Sequence, residues 1–329
     1  MILLNPFRLY PTVEKRTMRN GVQRALLELG QKNPNVVVLT ADLAESTRVK
    51  AFMDKYPERS FECGIAEQNM MGIGAGLALS GKIPFISSYA VFSPGRNWDQ
   101  LRVSVAYSNT NVKIIGSHVG LTVGADGATH QALEDIALTR VLPNLTVISP
   151  CDEEEAYKAI LASAEIKGPV YIRLSRHKSP VITIKKTPFK IGKGEIFREG
   201  YDATLMVTGH LVHQALIAAE SLAEQGIEVE VINIHTIKPL DSKTILKSLK
   251  KTIAGVVIEE HQINAGLYGA ISELTAQKLP IPLESISVQD TFGESGEPEE
   301  LLKKYHLTVA EIIKKTKKII KRKGSFLDF

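Results

Sequence analysis

The stretch 17-TMRNGVQRALLELGQKNPNVVVLT-40 contains the repeating unit of the fold. Met18, Val22, Leu26 and Leu29 recur at helical spacing on one face. The run VVVL at 36–39 is short, continuous and apolar, the pattern of a strand covered on both sides of a parallel sheet. Helix followed by buried strand is then repeated along the chain. A helix is expected from Glu67, a strand at 83-IPFIS-87, a helix around Trp98 to Tyr107, and a strand at 112-VKIIGS-117. Next come a helix near Glu134 to Thr139, the strand 145-LTVIS-149, a helix from Asp152, and the strand 170-VYIRLS-175. Residues 176–200 interrupt the rhythm with basic, proline-containing text that reads as a linker. From Ala203 it restarts: ATLMVT, a helix around Val212 to Gln225, VEVINI, the turn 238-KPLD-241, a helix, GVVIEE, a glycine-bearing helix start at Asn264, and LESISV. Such alternation implies an α/β protein with two parallel-sheet domains, expected at 1–178 and 201–329 with a linker at 179–200. A length of 329 residues fits two compact units.

Composition excludes several function classes. With 44% hydrophobic and 23% charged residues the chain can bury a core, so a disordered or fibrous role is excluded. Cys63 and Cys151 lie far apart and form no zinc-type spacing, so neither a disulfide framework nor a metal site is expected, and a reducing, cytoplasmic setting fits. The opening MILLNPFRLYP lacks the basic leader and long apolar core of a signal peptide, and no run is long enough to span a bilayer. Much of the formal charge of +4 comes from 312-IIKKTKKIIKRK-323. There Thr308 and Glu311 form a capping box, and Ile312, Ile313, Ile319 and Ile320 share one face opposite the lysines, which predicts a closing amphipathic helix. Aromatic residues are not interleaved with the lysines, so a nucleic-acid surface is not expected, nor is a membrane partner.

Reactive side chains concentrate in loops that follow predicted strands, where open α/β sheets bind ligands. The loop 116-GSHVGLTVGADGATHQALED-135 sets His118, Asp126 and His130 among glycines. Their spacings match no metal-ligand pattern, which favours polar recognition or proton transfer over metal binding. The loop 41-ADLAESTR-48 carries Asp42, Ser46 and Arg48, and 88-SYAVFSPGRNW-98 carries Tyr89 and Phe92. In 61-FECGIAEQNMMGIGAGLALSG-81, Glu67 stands alone before a small, apolar, glycine-rich run. A carboxylate in the first turn of a helix is favoured by the dipole alone. The glycines at 72-GIGAG-76 lack the strand-to-helix spacing of a dinucleotide fingerprint.

GIAEQNM, VGADGATHQALED, TMRNGVQRALLELG with LTADLAEST, and ATLMVTGHLVHQAL with IKPLD occur in one order that resembles the pyrimidine-binding and C-terminal domains of the transketolase family. The resemblance covers nearly the whole chain. It implies that Glu67 hydrogen-bonds a ring nitrogen of the thiamine diphosphate aminopyrimidine, favouring the tautomer that takes the proton from the thiazolium carbon. A weakly solvated carboxyl shares a proton more readily than a hydrated one, which suits that task. It further implies that Phe92, with Tyr89, stacks on the aminopyrimidine and that Asp42 and Leu43 lie beside the cofactor. His118, Asp126 and His130 match positions that bind sugar hydroxyls and the carbonyl oxygen, and Arg19, Ser46 and Arg176 match positions that hold the sugar phosphate. Guanidinium groups suit bidentate contact with phosphate oxygens. Glu67, His118 and His130 are thus the expected catalytic residues.

The chain is also similar to 1-deoxyxylulose-5-phosphate synthase and to the beta subunit of 2-oxo acid dehydrogenases. His118 in GSHVG and the text GATHQ favour transketolase over both. A non-catalytic binding or regulatory module on the same fold is the alternative of a different class. Pro94 and Gly95 depart from the family, which places a further aromatic residue after its stacking phenylalanine. The GDG motif with a downstream asparagine, by which the family holds magnesium or calcium and the diphosphate, has no counterpart here. The resemblance therefore implies the C-terminal subunit of a split transketolase, moving a two-carbon ketol unit between sugar phosphates. A separate N-terminal subunit would hold the metal and diphosphate, and the expected assembly is a homodimer core within a heterotetramer.

Overall fold

The computed structural model describes residues 3–10 and 12–327. Its first half runs β1 (Lys15–Thr17), α1 (Met18–Lys32), β2 (Val36–Thr40), α2 (Lys50–Lys55), β3 (Ser60–Glu62), α3 (Glu67–Leu79), β4 (Ile83–Tyr89), α4 (Trp98–Gln100), β5 (Lys113–Val119), α5 (Asp135–Arg140), β6 (Thr146–Ile148), α6 (Glu153–Glu165), β7 (Val170–Ser175) and β8 (Lys178–Pro180). The second half runs β9 (Glu195–Arg198), β10 (Ala203–Val207), α7 (Val212–Ala223), β11 (Val229–Asn233), β12 (Thr236–Lys238), α8 (Ser242–Thr252), β13 (Gly255–Gln262), α9 (Leu267–Lys278), β14 (Leu283–Val288), α10 (Pro298–Lys304) and α11 (Val309–Leu327). The protein is α/β throughout.

Seven strands form the first sheet in the order β12-β6-β7-β5-β4-β2-β3, and five form the second in the order β14-β13-β10-β11-β9. Only the edge strands β12 and β9 run antiparallel to their neighbours. Every residue of β2 is buried, because helices cover both faces of the sheet. On one face Met18, Val22, Leu26 and Leu29 of α1 meet Val36, Val38, Phe85, Ile115 and Ile172. On the other, Met70, Met71 and Ala75 of α3 meet Leu39, Ile86 and Ile114.

Four elements differ from expectation. The segment read as a linker contains β8, which pairs with β1, and β9, which closes the edge of the second sheet against β11. Its basic composition suits an edge, where charged side chains remain in water. The strand β12 leaves the second half of the chain and pairs with β6 in the first sheet, which ties the halves together. The helix over Trp98 to Tyr107 widens into a π-helix across Leu101–Tyr107. The closing helix forms as expected: the Thr308 hydroxyl accepts from the Glu311 amide at 3.4 Å, and Ile312 and Ile319 are fully buried. Lys315, Lys318 and Arg322 of that helix bind Glu284 of β14. Among the described residues, no helix is long and apolar enough to cross a membrane.

Candidate functional site

Parallel register sets the rim of the first sheet. Thr40 lies level with Ser87, and Tyr89 with Ser117, so the loops leaving β2, β4 and β5 open on one edge. Glu67 begins α3 just beyond β3, which pairs with β2. Arg176 follows β7 on the same edge.

Glu67 is 1% exposed, so its carboxylate needs a partner inside the protein. Arg96 supplies it, with one guanidinium nitrogen donating to both carboxylate oxygens at 2.9 and 3.1 Å. The Arg96 guanidinium also lies over the Phe92 ring, 4.3 Å from its centroid. Asn97 Nδ2 donates to the Glu67 carbonyl and to Ser93 Oγ, which fixes the loop against the start of α3. Arg96 was not among the residues expected from sequence. Its spacing of four from Phe92 would have signalled the contact only if 88–98 had been read as turns of helical pitch rather than as an open loop.

Four rings assemble beside this pair. Tyr89 and Phe92 stack with centroids 5.9 Å apart, and Tyr89 stacks on His118 at 3.7 Å. His130 meets Phe92 edge-on at 5.6 Å and Tyr89 at 6.3 Å. His118 adopts a left-handed backbone, φ 58°, that turns its ring toward Tyr89 at the end of β5. Its Nδ1 bonds Ser117 Oγ at 2.8 Å, and His130 Nδ1 bonds Thr129 Oγ1 at 2.9 Å. Burial, reinforced by Arg19, Arg176 and His130, holds the His118 imidazole at a pKa of about 2. His118 is therefore neutral, with one ring nitrogen able to donate and the other to accept.

A cationic group lies next to the rings. Arg19 donates to the Ser46 and Arg176 carbonyls and to Thr17 Oγ1, and Arg176 donates to the Val123 carbonyl at 2.6 Å. Burial first, then the charges of Arg48 and Arg176, lower the Arg19 pKa, as expected where like charges gather. Such a group favours an anion. Arg48, unassigned from sequence, is exposed with φ 65°.

The remaining expected residues are placed less closely. Asp42 is exposed, and its amide and that of Gly64 both donate to Glu62, another residue that sequence reading missed. Leu43 is half-buried, with its carbonyl accepting from Thr47. Asp126 is exposed on a turn, and nothing among the described residues ties it to the rings. No cluster of three metal-ligating side chains occurs among the described residues. A planar heteroaromatic ring fits these groups: a buried carboxylate for a ring nitrogen and an aromatic face at Phe92.

Residues 14–181 match the family model for the transketolase pyrimidine binding domain, and residues 192–312 match that for the transketolase C-terminal domain. A transketolase C-terminal section from Methanocaldococcus jannaschii is 46% identical over 93% of this chain and 96% of its own length. A 6-deoxy-6-sulfo-D-fructose transketolase subunit from a Clostridium species is 40% identical over 95% of this chain and 97% of its own. The inactive beta4 tetramer of a split-gene transketolase superposes with a TM-score of 0.87, at 42% identity, over 93% of this chain and 98% of that one. With both domain models matched in order, and with these relatives covered over nearly their whole length, the chain belongs to the transketolase family.

Proposed function

We propose that this chain is the C-terminal subunit of a split transketolase, transferring a two-carbon ketol unit from a ketose to an aldose that carries an anionic end group. The observation that carries this reading is the buried Glu67 carboxylate, joined through Arg96 to the Phe92 ring, on the same rim as His118 and His130. Thiamine diphosphate, when bound, supplies the carbon nucleophile that these side chains lack. Glu67 would hold a ring nitrogen of the aminopyrimidine and control its proton, while Phe92 and Tyr89 would orient the ring. Asp42 and Leu43 would border the cofactor.

Neutral His118 would donate to or accept from the substrate carbonyl and hydroxyls, and His130 would carry the proton that moves as the carbon bond breaks. Asp126 would accept from a sugar hydroxyl. Arg19, Ser46 and Arg176 would hold the phosphate at the far end of the sugar. The diphosphate and its magnesium or calcium ion would be held by a separate N-terminal subunit in a heterotetramer. Exposed Ile65 and Leu79 at the ends of α3, with exposed Val103 and Tyr107 on the helix packed against it, support a protein-covered surface there.

The test is ketol transfer to ribose 5-phosphate with thiamine diphosphate and magnesium, by this chain alone and mixed with the diphosphate-binding subunit. Xylulose 5-phosphate and 6-deoxy-6-sulfofructose serve as alternative donors, the second because a relative bears that name. Activity is expected only in the mixture and is expected to fall about a hundredfold or more in Glu67→Gln. A mixture that forms a complex and binds cofactor yet transfers neither donor's ketol unit would overturn the reading.

A further inference from the structure

The strongest unassigned feature is Arg96. Its guanidinium holds both oxygens of a carboxylate that is 1% exposed and lies 4.3 Å from the Phe92 ring centroid, while its own side chain is 48% exposed. One planar cation thus satisfies two groups that differ in kind, a carboxylate and a π face. These are the two groups that the proposed function gives to the aminopyrimidine ring. A second planar ring cannot lie on that face of Phe92, with a ring nitrogen at Glu67, while the guanidinium remains there.

We infer that Arg96 is an internal stand-in for the aminopyrimidine, holding Glu67 and Phe92 in their working positions until the ring displaces it. The inference rests on the proposed function, because it takes thiamine diphosphate as the ligand. Three features of Arg96 suit the role. The guanidinium compensates a buried charge that would otherwise be costly to leave unpaired. Its half-exposed, flexible stem gives the charge a route into water. Asn97, the next residue, is buried and anchors the loop to Ser93 and to the backbone of α3, so Arg96 can leave without the loop moving. A ligand that must displace an internal partner binds more weakly by the stability of that contact. Arg96 would thereby lower cofactor affinity while keeping the pocket formed, a positioning role distinct from contact with the reacting atoms.

The experiment titrates thiamine diphosphate, with magnesium, by calorimetry into the complex of this chain with the diphosphate-binding subunit. Wild type is compared with Arg96→Met, which fills the same volume without charge, and with Arg96→Lys, which keeps a cation beside Glu67. Inorganic diphosphate, which has no ring, is titrated into the same samples. Arg96→Met is expected to bind thiamine diphosphate about five- to tenfold more tightly, Arg96→Lys to lie between it and wild type, and inorganic diphosphate to bind all three equally. Equal or weaker binding of thiamine diphosphate by folded Arg96→Met and Arg96→Lys complexes overturns the inference alone. A wild-type complex that takes up no thiamine diphosphate overturns both the inference and the functional reading.

Discussion

His118 shows how a single side chain is held in one state by its surroundings. Its folded pKa of about 2 lies below the unfolded value of 6.5, because burial and the adjacent Arg19 and Arg176 disfavour the imidazolium. The folded protein therefore binds fewer protons at this position than the unfolded chain does in mild acid. Its contribution to stability is complete above pH 6.5 and is lost as pH falls toward the folded pKa. His177, His235 and His261, at about 3, 4 and 4, act in the same direction. Glu155 and Glu259, raised to about 7 by burial, oppose them: their contribution is present below pH 4.5 and is lost as pH rises through 7. Whole-protein pH curves blend these effects, so the His118 share is isolated by substitution. Asparagine tolerates the left-handed backbone at φ 58°. Between pH 7.5 and 5, His118→Asn is expected to lose roughly 2 kcal/mol less unfolding free energy than wild type, measured by urea denaturation. Equal losses in the two proteins would show that His118 ionises freely in the fold.

Two glycines on helices illustrate what sequence does and does not disclose about an element. Gly21 in α1 and Gly72 in α3 look alike in the sequence, and alanine is the better helix former at either by about 1 kcal/mol. In the fold they differ. A Cβ at Gly21 would lie 2.2 Å from the Glu153 carbonyl and 2.9 Å from the Tyr157 amide, both backbone of α6, whereas a Cβ at Gly72 meets nothing within 4 Å. Gly21→Ala is thus expected to destabilise by about 1–3 kcal/mol, since overpacking outweighs propensity. Gly72→Ala is expected to stabilise the isolated chain by about 0.5–1 kcal/mol. If a second chain covers that face of α3, Gly72→Ala should also loosen the assembly, read as a dissociation constant by analytical ultracentrifugation. An unchanged dissociation constant would remove Gly72 from any interface. The periodicity of α1 and the run at β2 were legible because burial on a known face leaves a local pattern. The packing of α1 on α6 was not, since it joins residues over a hundred positions apart. For the same reason β9 lay hidden in text read as linker, and β12 gave no sign that it belongs to the other sheet. Arg96 escaped notice through local geometry instead: an arginine in a loop becomes a partner of Glu67 only once the turns of 88–98 are known.

At the scale of the whole molecule, the loop that carries His118, Asp126 and His130 is held by the opposite domain. Glu260 on β13 accepts from the Thr122 amide at 2.7 Å and its hydroxyl at 3.1 Å, and it bonds His210 Nε2 at 2.9 Å. The Glu260 carbonyl accepts from Arg173 at 2.6 Å, and Arg173 in turn binds Asp135, which also accepts from the Tyr171 hydroxyl. Gly120, with φ 74°, is needed because a Cβ there would lie 2.2 Å from the Glu260 carboxyl carbon. Burial pushes the Glu260 pKa up, but His210, His177 and Arg173 outweigh it and leave the group below its ordinary value. The carboxylate is therefore the form that joins the domains. Glu260→Gln keeps the volume but replaces a charged acceptor with a neutral one. It is expected to cost about 1.5–3 kcal/mol, since hydrogen bonds to charged groups are the stronger kind. The specific readout is hydrogen exchange: the Thr122 amide should exchange faster in Glu260→Gln, and the Ala132-bonded Gly120 amide on the same loop should follow. A variant that melts with wild type and protects Thr122 equally would mean that Glu260 is not what holds the loop. In that case its orientation would come from the first sheet and from the contact of Gln131 with the Glu294 carbonyl.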